Sequence, residues 1–82
     1  MIEYAVNLLA DVDVDQKTLH IHFKAESSNA KYDICSMGGR IIEHGKLSSE
    51  AHHSIDLNSQ LPGHYRLYIL DAGKVHRTTF VL

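Results

Sequence analysis

The chain has 82 residues, 44% hydrophobic and 22% charged, with a formal net charge of −2, seven histidines and one cysteine. That length makes a single domain, which buries only about 60–65% of the surface its unfolded chain exposes. The composition argues against a disordered chain and, with no basic patch or tail, against a nucleic-acid partner. No apolar run approaches the roughly 18 residues a membrane-spanning helix needs, and the lone Cys35 excludes an internal disulfide.

Tyr4 to Leu9 reads as a first strand, with Tyr4, Val6 and Leu8 on one side, and Asp11-Val12-Asp13-Val14-Asp15-Gln16 as the turn that follows. Thr18 to Lys24 alternates cleanly: Leu19, Ile21 and Phe23 inward, His20, His22 and Lys24 outward, the period of a half-buried strand. Glu26 to Asn29 is a polar loop. Ala30 to Ser36 alternates again, with Tyr32 and Ile34 inward and Cys35 opposite Ile34. Ser36-Met37-Gly38-Gly39 is a hairpin signal, because paired glycines reach positive φ readily. Arg40 to Lys46 is the return strand. Lys46 to Glu50 reads as a second polar loop, and residues 46–53 have room for one helical turn at most. Ala51 to Leu57 is a further strand, with Ile55 and Leu57 inward. Asn58-Ser59-Gln60 leads to a corner at Leu61-Pro62-Gly63. From there His64 to Leu70 alternates strictly, Tyr65, Leu67 and Ile69 one way and His64, Arg66 and Tyr68 the other. Asp71-Ala72-Gly73-Lys74 makes a final hairpin, and Val75 to Leu82 closes the chain with Phe80 in the core.

About seven short strands with turn signals about every 8–12 residues and no helix predict an all-β protein. The expected architecture is an immunoglobulin/fibronectin III-like Greek-key β-sandwich, one domain over residues 1–82. The expected core is Val6, Leu8, Leu19, Ile21, Phe23, Tyr32, Ile34, Ile42, Ile55, Leu57, Leu61, Tyr65, Leu67, Ile69 and Phe80. A tyrosine at the start of a strand, just after a tight turn, matches the tyrosine corner of Greek-key sandwiches. Leu61, Gly63 and Tyr65 are therefore predicted to form a structural corner, the Tyr65 hydroxyl bonded to backbone near Leu61.

Several pieces in a fixed order carry a family resemblance: Tyr32-x-Ile34, Gly39-Arg40-Ile41-Ile42, Ile55-Asp56-Leu57, Leu61-Pro62-Gly63-His64-Tyr65-Arg66-Leu67, and Gly73-Lys74 through Phe80-Val81-Leu82. Over roughly residues 17–82 the chain resembles small secreted immunoglobulin-like domains of unknown function from Bacteroides-type bacteria. It is also similar in pattern to the C-terminal sorting domain of the Por (type nine) secretion system. Sorting domains open on a Pro-Asn-Pro segment and end on a basic residue, whereas here Pro62 is the only proline and the chain ends Thr79-Phe80-Val81-Leu82. The stand-alone family is the better fit. The resemblance implies an exported setting (secreted, periplasmic or cell surface), although no stretch reads as a signal peptide. It implies a non-catalytic module with an unassigned binding or accessory role, and directing a cargo across the outer membrane is the alternative.

The residues name no catalytic site. There is no Gly-x-Ser-x-Gly, phosphate loop or dinucleotide fingerprint, the carboxylates are scattered over turns, and nothing marks Cys35 as a nucleophile, so neither an enzyme nor a cofactor is expected. His20 and His22 share one strand face, and if the Ile55 strand lies beside it, His52 or Ser54 joins them. Three imidazoles together are ligands for zinc or copper, which makes His20, His22 and His52 the candidate metal set and a small metal-binding domain a further alternative. An i, i+2 histidine pair on a strand is more often plain polar surface. Asp11-x-Asp13-x-Asp15 starts like a calcium loop, but Gln16 stands where glycine is needed and His22 where a bidentate carboxylate is, so a charged turn is the better reading. The outward Arg66 and Tyr68, with His64, are residue types favoured at recognition surfaces, though a solvated cross-strand ladder has the same appearance. The expected partner is an unknown protein or glycan. The expected state is a monomer, or a weak edge-strand dimer through the apolar Phe80-Val81-Leu82 end.

Overall fold

The computed structural model describes residues 9–82 apart from Ser49. The strand expected over Tyr4 to Leu9, and Val6 and Leu8 of the expected core, fall outside the described residues except for Leu9. The described chain is all-β: β1 (Leu9–Asp13), β2 (Thr18–His22), β3 (Lys31–Ser36), β4 (Ile41–Lys46), β5 (His52–Asp56), β6 (His64–Asp71) and β7 (Lys74–Val81). They form two antiparallel sheets, one ordered β1-β2-β5 and the other β4-β3-β6-β7.

The sheets are held together by the alternation visible in the sequence. Leu19 and Ile21 of β2 and Ile55 of β5 meet Ile34 of β3, Tyr65, Leu67 and Ile69 of β6 and Phe80 of β7 in one buried cluster. Each fully buried Leu or Ile contributes about 1.5–3 kcal/mol relative to leaving it exposed. β1 also lies beside β7, closing one side of the sandwich. Tyr32 and Ile42 of the expected core are partly buried and pack against the cluster.

Leu61, Leu47 and the Asp11–Gln16 turn differ from the sequence-based expectation. Leu61 is not in the core but 79% exposed. The corner uses its backbone carbonyl, which accepts the Tyr65 hydroxyl at 2.5 Å, and leaves its side chain at the surface. Leu47, expected in a polar loop, is buried with Ala30, because its amide donates to the Ala30 carbonyl at 2.9 Å and carries the β3–β4 ladder one residue further. The expected turn at Asp11–Gln16 starts too early: β1 runs through Asp13, and the reversal is Val14–Lys17. Asp13 fixes that reversal by accepting the amides of Asp15 and Gln16 on Oδ1. No helical turn forms among the described residues of 46–53.

A bulge between Ile34 and Cys35 of β3 and their partners in β4 leaves Ile42 as the extra residue. It explains two consecutive isoleucines in one strand, since Ile41 is exposed while Ile42 packs on the core. The β6–β7 turn has positive φ at both central residues, Ala72 (51°) and Gly73 (76°), the conformation that a two-residue type I′ hairpin requires.

Candidate functional site

Strand register assigns the outward face of each sheet. Because Leu19 and Ile21 point inward, Thr18, His20 and His22 point outward, and their cross-strand partners share that face. These partners are Asp11 and Asp13 on β1 and His52, Ser54 and Asp56 on β5. The three-stranded sheet thus presents three aspartates and three histidines, and no lysine or arginine among these positions.

The histidines form a ladder. His22 and His52 are direct cross-strand partners with rings stacked 4.8 Å apart between centroids. The His20 ring lies nearly parallel to that of His52, 13° apart with centroids at 5.3 Å, and meets it edge to edge. Its Nδ1 lies 3.1 Å from His52 Nε2, a hydrogen bond, and 3.3 Å from Ser54 Oγ. β5 lies beside β2, and all three candidate metal residues are brought together. Among the described residues, however, no group of three His, Cys, Asp or Glu side chains is arranged to hold a metal ion. The same holds for Asp11, Asp13 and Asp15. Asp11 and Asp13 are strand residues, and Asp13 Oδ1 is occupied by the turn amides.

The four-stranded sheet presents the opposite charge. Its outward rows run Lys46–Lys31–Leu70–Val75, then His44–Asp33–Tyr68–Arg77, then Ile41–Cys35–Arg66–Thr79. That is four fixed cations, Lys31, Lys46, Arg66 and Arg77, against the single carboxylate of Asp33. Tyr68 sits between Asp33 and Arg77, with Arg66 two residues away on its own strand. Leu70 and Val75, paired at one end, are exposed and border a cleft of about 520 Å³ that also reaches Ser27 and Asn29. Cys35 is partly buried on this face beside Arg66.

One residue sequence reasoning passed over is Asp71, 4% exposed at the end of β6. Its carboxylate accepts the Glu26 amide at 2.6 Å, the Ser27 amide at 3.0 Å and the Ser27 hydroxyl at 2.7 Å. These bonds, the Glu26 amide first, hold its pKa below the ordinary carboxylate value. Its role is to clasp the β2–β3 loop to the β6–β7 hairpin. The sequence holds no signal for it, because the partners lie 44 and 45 residues away. Tyr32 is the reverse case: burial, then the Glu43 charge, pushes its phenol up.

No protein-family model matches the chain, and no curated protein matches it.

Proposed function

We propose that the chain is a non-catalytic binding module on an immunoglobulin/fibronectin III-like Greek-key sandwich, working outside the cytoplasm, and that it recognises a carboxylate- or sulfate-bearing partner. The Greek-key part is supported by connectivity. The chain crosses between sheets after β2, β4 and β5, and the tyrosine that bonds back to an upstream carbonyl stands at the start of β6. The exported setting rests on the family resemblance alone.

The observation that carries the binding role is the outward face of the four-stranded sheet: Tyr68 beside Arg77 and near Arg66, with Lys31 and Lys46 behind, on a protein whose net charge is −2. Charge of one sign gathered on a flat face, against the sign of the whole molecule, steers an oppositely charged partner. Arginine adds a planar fork that pairs with carboxylate or sulfate through two bonds. The test is binding to immobilised heparin and to polyglutamate at low salt, comparing the protein with an Arg66→Glu, Arg77→Glu variant. Retention by at least one polymer that falls with salt and is lost in the variant supports the reading. Failure to bind either, or equal binding by the variant, removes it.

A further inference from the structure

The opposite face carries a second inference, which does not depend on the first. We infer that the histidine ladder of β2 and β5 is a binding site for a borderline divalent transition-metal ion, Cu²⁺ or Zn²⁺, with His20 Nδ1 and His52 Nε2 as the two primary ligands.

The decisive quantity is the separation of those nitrogens, 3.1 Å. Metal–imidazole bonds of about 2.0–2.1 Å at tetrahedral angles place two ligand nitrogens about 3.3–3.4 Å apart. A square arrangement needs about 2.9 Å for neighbouring ligands, using the same bond lengths. The observed spacing lies between the two. An ion therefore enters by turning the rings until both lone pairs meet off the N···N line, with little change in the distance between them. His52 is exposed, so that rotation meets little resistance on one side. In the hydrogen bond one imidazole donates its ring N–H and the other accepts. On binding, the donor moves that proton to its second ring nitrogen, so both ligands stay neutral and no charge is left unbalanced.

Two neighbours flank the pair. His22 stacks on His52 and is itself exposed. Asp11 is the direct cross-strand partner of His20 on the same face. It makes no side-chain hydrogen bond or ion pair among the described residues. Asp13 and Asp56, also on this face, add negative potential without a nearby lysine or arginine on these strands to oppose it. Imidazole donors select copper and zinc over calcium and magnesium, and affinity rises from zinc to copper.

The test uses the intact protein. Cu²⁺ is added at substoichiometric levels while the imidazole ring protons are followed by NMR, and Zn²⁺ is titrated while thermal unfolding is followed. The expected result is selective paramagnetic broadening of His20, His22 and His52, and an unfolding midpoint that rises with Zn²⁺, as binding to the native state requires. His52→Ala, at an exposed position, is expected to weaken Cu²⁺ binding by about tenfold or more, since one of two primary bonds is lost. His64→Ala, on the other sheet, leaves it unchanged. Uniform broadening of all seven histidines overturns the inference. So does equal affinity in His52→Ala, or an unfolding midpoint that does not move at a hundredfold excess of Zn²⁺ over protein.

Discussion

Replacing Tyr65 by Phe isolates the corner on which β6 is built. The Tyr65 ring is 7% exposed and stacks on Phe80 with centroids 5.6 Å apart. Phenylalanine keeps that packing and removes only the hydroxyl, which donates to the Leu61 carbonyl. Losing an ordinary hydrogen bond costs about 0.5–1.5 kcal/mol, and leaving a buried partner unmade about 1–3 kcal/mol. The bond is part-buried and its acceptor belongs to a residue that is 79% exposed, so the upper end does not apply. The expected loss is about 1–2 kcal/mol. Each kcal/mol moves the unfolding temperature of a domain this size by about 4–8 °C. Urea unfolding gives a second reading: the midpoint falls while the slope m stays fixed, because the area buried on folding is unchanged. A variant with the parent's midpoint by both methods would refute the corner as a stabilising device.

Four more outcomes follow from single observations. The folded pKa of Asp71 is depressed, so its carboxylate contributes stability above its unfolded value of about 3.9 and loses it as pH falls through the folded value. Unfolding midpoints between pH 6 and pH 2.5 should drop on the acid side, and Asp71→Asn should flatten that drop. Ala72 holds φ of 51° in a turn that favours Asn-Gly, so Ala72→Asn should raise stability by about 0.5–1 kcal/mol in a denaturant titration. A Cβ on Gly45 would lie 2.9 Å from the Tyr32 ring. Gly45→Ala should cost about 1 kcal/mol, less than a rigid core clash because that ring end is half-buried and able to shift, and the loss should vanish in a Tyr32→Leu background. His53 Nε2 is buried without a hydrogen-bond partner among the described residues, and His53→Leu should stabilise the protein by about 1 kcal/mol, measured the same way.

Much of the sandwich is legible along the chain because strand periodicity is local. Leu19-His20-Ile21-His22 and Tyr65 through Ile69 state which side chains face inward, and burial follows that alternation residue by residue. The Asp71-Ala72-Gly73-Lys74 turn is equally local. Leu47 and Leu61 depart from the local pattern for a common reason: each stands where a strand meets a loop, and its burial depends on what the distant chain leaves uncovered. The bulge that separates exposed Ile41 from half-buried Ile42 is likewise a property of the β3–β4 pairing, and neither strand alone encodes it.

The sequence by itself determined the all-β class, the strand faces and the outward histidines of β2, since each depends only on which residues lie two apart. Tertiary structure alone decided three things. It set β5 against β2, so that His52 hydrogen-bonds His20 and stacks on His22. It brought Asp71 to the amides of Glu26 and Ser27. It also sorted the charges, with Asp11, Asp13 and Asp56 on one outer face and Lys31, Lys46, Arg66 and Arg77 on the other. All three depend on sheet order and register, which follow from how the whole core packs.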